Sequence, residues 1–320
     1  MIMFNSEEDF LEFLKRDNKS TSSIPKNWLG IGDDAAVIDF NETDLIFCTD
    51  AMVENTHFRL NQDFFNVGWK SIVSNQSDIA AMGGFPLGFT VTLGINKDMN
   101  KEKINRLYEG INNACENFGG ILLGGDTVSS STNFISVAAI GKSFIKGKNM
   151  TRDTAKSGDL VAVTGQIGNS IAGLEISEKD NTISNKFTQK FFHPIPRINE
   201  SKIAIENGII CSMDLSDGLL KDLYRICKAS KVKIEIDFEK INYDEDLNKI
   251  FCGNIENKIL SSGEEYELIL IGAASKIKNL EDKIDIKIIG KVSDNKQPIL
   301  EFYRNKKLIN LSTEGFDHFG

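Results

Sequence analysis

The stretch Gly30-Ile-Gly-Asp-Asp-Ala-Ala-Val37 constrains this chain more than any other, because it sets two adjacent carboxylates on a glycine turn directly ahead of an apolar strand. The spacing Gly30-x-Gly32-x-x-Ala35 superficially matches a dinucleotide-binding fingerprint, but that motif needs a buried strand before it and a helix after it. Neither is expected here. Pro25 to Leu29 is a poor strand, Ala35 to Phe40 alternates as a strand, and Asp33 with Asp34 would repel a bare pyrophosphate. A metal ion reverses that sign. Mg²⁺ takes a few hard oxygen ligands and completes its shell with water and substrate phosphates, which two carboxylates on a permissive turn suit. A lone Gly-Asp-Asp is more often a solvated turn, so the reading depends on whether further acids recur at element ends.

They recur. A strand over Asp44 to Thr49 delivers Thr49-Asp50 at its end, and a helical pattern from Phe64 to Met82, closed by Gly83-Gly84, carries Asn75 and Asp78 among small and apolar residues. Taken alone, that polar pair is as readily a solvent or capping feature as an inward-pointing ligand. Phe89 to Ile95 reads as a strand, and Lys101 to Phe118, which includes Tyr108, as a helix. Ile121 to Leu123 reads as a short buried strand running into a Gly124-Gly-Asp-Thr127 turn, whose amides can approach a phosphate closely. Phe134 to Ile145 is a further strand, followed by a basic loop from Lys148 to Arg152. Arg152 has the fork geometry for a phosphate, although an isolated loop arginine is usually solvated.

In the second half, Asp159 to Thr164 is a buried strand that turns into a helix starting near Asn169, and that helix N-terminus suits a phosphate or a partner carboxylate. The required Gly-x-x-x-x-Gly-Lys-Ser/Thr of a P-loop is absent from the chain, so any ATP is held another way. Asp180 to Asn185 is a polar loop, and His193 to Arg197 punctuates the chain before a helix through Ile205. The strand Ile209 to Met213 then enters Asp214-Leu-Ser-Asp-Gly218 and a helix. Asp217 alone reads best as a helix cap, whereas Asp214 at a strand end is harder to dismiss. Strands are also expected over Lys231 to Phe238, Leu268 to Ile271 and Ile284 to Val292, with Ser261 to Glu267 leading into the second. At the start, Ser6 to Asp17 reads as a capped amphipathic helix and Asn18 to Ser23 as a connector.

At 320 residues the chain suits two ordinary domains, and the fresh strand-turn-helix after Lys148 to Ser157 divides it into 1–150 and 151–320. Apolar content of 41% with no run near membrane-span length and no secretory leader predicts a cytoplasmic globular protein. Five scattered cysteines, never in a Cys-x-x-Cys pair, argue against a disulfide framework or zinc site and predict reduced thiols. A net charge of −9 argues against nucleic acid, and an anionic substrate then needs metal ions as intermediaries.

In one order, Gly30-Ile-Gly-Asp-Asp34, Thr49-Asp50, His57-Phe58, Asn75-Gln-Ser-Asp78, Gly124-Gly-Asp-Thr127, Thr151-Arg152, Met213-Asp-Leu-Ser-Asp-Gly218, Gly263-Glu264 and Phe316-Asp-His-Phe319 resemble the thiamine-monophosphate kinase family, from about residue 4 to the end. The resemblance implies ATP-dependent phosphorylation of thiamine phosphate with several Mg²⁺ ions. It also implies the fold shared with aminoimidazole ribonucleotide synthetase: α/β (α+β), two domains, with N-terminal sheets pairing into a barrel across a homodimer. On that resemblance the first domain binds ATP and Mg²⁺ and dimerises.

Carried over by position, Asp34, Asp50, Asp78, Asp126 and Asp214 are metal-binding carboxylates assisted by Thr49 and Asp217, with Asp50, Asp126 and Asp217 closest to the chemistry. Tyr108, Gly125, Asp126, Arg152 and Ser216 match nucleotide-contacting positions, and His57, Glu264 and Phe316 substrate-contacting ones. Read alone, those last three are a surface histidine, a strand-end charge and a tail anchor; their company with the acids favours the site. The chain departs from the family pattern at Cys48, where a hydroxyl residue is common, and at Ser262 and Glu265. Selenophosphate synthetase is disfavoured because no cysteine precedes Cys48, and the hydrogenase-maturation relative because the chain ends in Phe319-Gly320. The non-enzymatic alternative is a nucleotide- or metal-binding regulator.

Overall fold

A computed structural model describes residues 6–17, 24–180, 182–295 and 297–309. The expected connector at Asn18 to Ser23 and the expected substrate residue Phe316 lie outside the described residues. The amphipathic start forms α1 (Glu7–Asp17), whose Asp9 N–H is capped by the Ser6 Oγ at 3.1 Å. Alternating residues then build β1 (Ala36–Phe40), β2 (Thr43–Val53), β3 (Gly84–Ile95), β4 (Ile121–Ser129) and β5 (Phe134–Ser143) into a sheet of order β1-β2-β5-β3-β4. Its pairs are antiparallel except β3 with β4.

Burial alternates along β2 and β5, as a sheet covered on one side requires. Ile46, Met52, Val91, Leu93, Ile135 and Val137 form one core with α2 (Phe64–Ala81) and α3 (Lys101–Phe118). The two helices touch backbone to backbone: a Cβ on Gly68 would lie 2.0 Å from the Leu107 carbonyl oxygen, and one on Gly110 2.0 Å from that of Phe65. Apolar side chains nevertheless remain exposed on the strands, including Phe47, Phe85, Leu87, Ile121 and Leu123.

The second sheet has the order β12-β11-β8-β10-β6-β9-β7. Its strands are β6 (Asp159–Thr164), β7 (Cys211–Asp214), β8 (Lys233–Asp237), β9 (Leu268–Ala273), β10 (Ile286–Ser293), β11 (Ile299–Arg304) and β12 (Lys307–Leu308). Interior strand β9 opens with four consecutive buried residues, Leu-Ile-Leu-Ile, because it is covered on both faces. Helices α4 (Asn169–Lys179), α5 (Lys186–Phe192), α6 (Ile198–Glu206), α7 (Leu219–Ser230), α8 (Leu247–Ile250), α9 (Ile255–Leu260) and α10 (Ala274–Glu281) complete this half.

Helix α2 packs on the first sheet and also against β7, α5 and α6 of the second half. Its Ser77 Oγ donates to Asp214 Oδ2 at 2.8 Å, Trp69 Nε1 donates to the Pro194 carbonyl at 2.9 Å, and Ser201 Oγ donates to the Ala80 carbonyl at 2.5 Å. A helix sandwiched this way buries polar residues that an outer helix would solvate, which is why Lys70, Asn75, Gln76 and Ser77 are all buried.

Two expectations need correction here. Thr49-Asp50 is not at a strand end: β2 continues to Val53 because its ladder with β5 runs on to Phe134. Gly124-Gly125 is not a turn after a buried strand but the middle of exposed edge strand β4. It stays extended because its parallel ladder with β3 continues to Ser129, and Gly125 lies so near that strand that a Cβ would sit 1.8 Å from the Val91 oxygen.

Candidate active site

A cleft of about 1010 Å³ opens between the halves, and acids form its floor. Asp34 comes from the turn before β1, Asp78 from α2 and Asp214 from the end of β7, and one oxygen of each lies within 4.8 Å of the others. Burial pushes both Asp78 and Asp214 well above the usual carboxylate range, and neighbouring carboxylates push them further. Asp33 is pushed up to about 7, by burial first and by Asp34 second. Arg152 answers part of this charge: its guanidinium pairs with Asp34, its Nε lies 3.5 Å from Asp33 Oδ1, and its backbone N–H donates to Asp33 Oδ2 at 3.0 Å. Asp34 Oδ2 is buried without a hydrogen-bond partner. Three converging carboxylates with an orphaned oxygen fit a hard divalent cation such as Mg²⁺.

Asp50 and Thr49 line the cleft from adjacent β2 positions, and the Thr49 hydroxyl donates to the Val137 carbonyl at 2.9 Å. The Cys48 Sγ stands 3.6 Å from both oxygens of Asn75. Burial, then Asp78 and Asp50, hold this thiol well above its ordinary range, so it stays protonated beside the acids.

The loop after β7 is braced from inside. The N–H groups of Ser216, Asp217 and Gly218 each donate to Asp222 Oδ2 at 3.1 Å, while Asp222 Oδ1 meets Arg225 at 3.0 Å. The capping expected of Asp217 therefore belongs to Asp222. Gly218 is the N-cap without a side-chain bond, and Asp217 instead pairs with Arg225 at 2.7 Å and Lys221 at 3.2 Å.

The opposite wall is the run Ser262 to Glu267, which sends each carboxylate to a different element. Glu264 Oε2 meets Lys70 Nζ of α2 at 3.1 Å. Glu265 Oε1 accepts from the N–H groups of Gly168 and Ser170, at 2.7 and 3.1 Å, and from Ser262 Oγ at 2.5 Å. The N-terminus of α4 thus holds the chain's own carboxylate, and the departures at Ser262 and Glu265 form one coupled pair. Glu267 is fully buried against Arg197, Lys190 and Thr164. Glu264 and Tyr266 adopt φ of 54° and 53°, and their N–H groups donate to Ser216 and Leu215 carbonyls at 2.7 and 2.9 Å, which stitches this wall to the Asp214 loop. His57 also lines the cleft; its Nδ1 accepts from the Val53 N–H at 3.1 Å, so the proton of the neutral ring sits on Nε2.

Of the expected residues, the cleft gathers Asp34, Thr49, Asp50, His57, Asp78, Arg152, Asp214, Ser216, Asp217 and Glu264. Tyr108, Gly125 and Asp126 are not among its lining residues. The ladders place Gly125 in one row with Val91, Val137 and Asp50, three strand spacings or about 14 Å away. Residues not singled out from sequence include Lys70, Phe191, Asp222 and Arg225. Phe191 sits on α5, whose sequence signal was the reciprocal box of Asn185 with Thr188.

Two mixed sheets joined through one buried helix, with an acid-floored cleft between them, define an α/β class suited to metal-bound anions. The AIR synthase related protein N-terminal domain matches residues 32–143, and its C-terminal domain matches residues 156–302. Thiamine-monophosphate kinase of Pyrococcus horikoshii is 33% identical over 90% of this chain and 90% of its own. That of Buchnera aphidicola subsp. Schizaphis graminum is 34% identical over 99% of each. The solved structure of AaThiL complexed with AMPPCP and TMP superposes with a TM-score of 0.85 at 29% identity, covering 98% of this chain and 97% of that one. The chain belongs to the AIR synthase related family and, within it, to the thiamine-monophosphate kinase family.

Proposed function

We propose that this chain transfers the γ-phosphoryl group of ATP to thiamine phosphate, giving thiamine diphosphate and ADP. The observation that carries the reading is the group Asp34, Asp78 and Asp214, with Asp50 beside it, on the floor of a cleft roomy enough for two ligands. The relative solved with AMPPCP and TMP supports the pairing of a nucleotide with a second phosphorylated ligand. The attacking phosphate oxygen is already anionic, so the site needs positioning and charge neutralisation more than a general base. Asp34, Asp50, Asp78 and Asp214, assisted by Thr49 and Asp217, would hold Mg²⁺, which when bound neutralises charge on the transferred group and keeps the phosphates in line.

Around that floor, Arg152, Ser216 and Arg225 face the nucleotide phosphates, and Glu264 with His57 receives the thiamine phosphate. Phe316 is proposed as an additional wall. The exposed apolar residues of β2, β3 and β4 support a homodimer in which N-terminal sheets pair into a barrel. In that dimer Tyr108, Gly125 and Asp126, which lie outside their own cleft, would serve the partner's cleft. We place the domain boundary near residue 150, between the two sheets. A cytoplasmic location is consistent with the free cysteines, and no helix among the described residues is long and apolar enough to cross a membrane.

The test is ADP release from ATP and Mg²⁺ with and without thiamine phosphate, with thiamine diphosphate identified by chromatography. ADP release that depends on thiamine phosphate is expected. Nucleotide binding without any turnover would favour the regulator reading.

A further inference from the structure

Lys70 is a lysine where a helix interior has little use for one. Its side chain is 5% exposed, it is not among the cleft-lining residues, and burial lowers its pKa while Glu264 opposes that shift. An ammonium taken out of water is tolerated only against a partner. Lys70 Nζ has two: Glu264 Oε2 at 3.1 Å and the face of the Phe191 ring, whose centroid is 3.5 Å away. Both partners belong to the second half of the chain, and both line the cleft. One cation thus ties two pieces of one wall to the helix that also carries the acid floor.

Glu264 needs such a tie. Its backbone is held at φ 54°, its side chain is about a third exposed, and its carboxylate is bonded to Lys70. With Oε2 committed to Lys70, Oε1 is oriented as an acceptor at the cleft wall. Lys70 and Asp78 are eight residues apart on α2, which is about 12 Å along a rigid axis. The helix therefore sets the separation between the acceptor wall and the metal-competent floor, independently of how the loops move.

We propose that Lys70 is a positioning residue for the phosphate acceptor: by holding Glu264 and Phe191 at a set distance from Asp78, it selects a phosphorylated ligand whose donor-bearing ring lies about one molecule's length from its phosphate. The inference rests on the kinase reading above and names a specificity device within that site. It makes a separable claim, since the reading above assigns the nucleotide to Arg152, Ser216 and Arg225 and the acceptor to Glu264.

The experiment compares wild type, Lys70→Met, Glu264→Gln and the double variant in steady-state kinetics, with thermal unfolding as the control for folding. Each single variant is expected to raise KM for thiamine phosphate by roughly tenfold, to leave KM for ATP within about twofold, and the double to be no worse than the worse single, because one contact is lost in all three. A folded Lys70→Met with unchanged KM for thiamine phosphate overturns the proposal, as does an equal rise in KM for ATP or multiplication of the two effects. Should Lys70→Met not fold, Lys70→Arg carries the same test: a planar, longer head displaces Glu264 and raises KM for thiamine phosphate by about threefold or more, and an unchanged value refutes the idea. If wild type shows no turnover with thiamine phosphate, the kinase reading falls separately. Calorimetric titration of thiamine phosphate into the same proteins then decides the inference: weaker binding to Lys70→Met upholds it and equal binding overturns it.

Discussion

Replacing Asp78 by Asn sets stability against function in a way that only a cation site predicts. Asp34, Asp78 and Asp214 present oxygens within 4.8 Å of one another. At that distance two unit charges in a medium of effective dielectric near 20 repel by about 3 kcal/mol. Arg152 offsets part of the charge on Asp34, but Asp78 still meets repulsion from Asp50, then from Asp214 and Asp34. Removing it should stabilise the metal-free fold at neutral pH by about that amount, or on the order of 6 °C in the unfolding midpoint.

The pH dependence has a definite sign. Both acids have folded-state pKa values above the ordinary one. Their protonated forms favour the folded state, so the stability they contribute is complete below the ordinary carboxylate pKa of 3.8 and lost as pH rises through the folded values. Scanning calorimetry with a chelator should therefore show wild type weakening as the pH rises from below 3.8 toward neutral, with Asp78→Asn weakening less. Mg²⁺ should restore the wild type at the higher pH and do much less at the lower one or in the variant. Turnover in the variant should fall by about a hundredfold or more. A variant less stable than wild type in chelator at the higher pH, or one that keeps the full Mg²⁺ response, would refute the assignment.

Other consequences are equally open to measurement. Asp50→Asn at saturating Mg²⁺ should lose on the order of 3 kcal/mol of transition-state stabilisation in kcat/KM, and full activity would remove Asp50 from the floor. Thiamine phosphate should be turned over and thiamine rejected, because a neutral hydroxyl needs a base and leaves phosphate-directed groups unpaired; equal kcat/KM for the two would show that the acceptor pocket is misplaced. Arg197→Met strips the paired bonds from fully buried Glu267 and should destabilise the fold by about 3 kcal/mol, read as a lower urea midpoint; an unchanged midpoint would mean that Lys190 and Thr164 suffice. Leu123→Asp on exposed β4 should give monomers by light scattering and a large loss of turnover, whereas a fully active monomer would contradict the proposed barrel dimer.

The sequence by itself determined the parts that depend on near neighbours. Helical period and flanking glycines delimit α2 and α3 almost to the residue, and glycine turns announce Asp34 before β1 and Asp214 at the end of β7. Those signals are local, because a helix face, a cap or a left-handed turn is set by residues a few positions apart. Short α8, α9 and α10 and the two-residue edge strand β12 carry too few residues for a period and were not legible, and β11 beside it was not singled out.

Only the tertiary structure decided where the acids meet and which ones keep their charge. Asp34, Asp78 and Asp214 are separated by 44 and 136 positions in the chain, and they converge because α2 is buried between two sheets. The same burial turned Arg152, which reads as a solvated loop residue, into the counter-charge of Asp33 and Asp34. It gave the α4 N-terminus to Glu265 and the Asp217 cap to Asp222, and it paired Lys70 with Glu264 across 194 residues. The exposure of β4 was likewise invisible, since an apolar run reads alike whether it is buried within a chain or bare at a sheet edge. Burial is a property of the whole packing arrangement. It sets the cost of an unpaired charge, and therefore which polar residues must find each other.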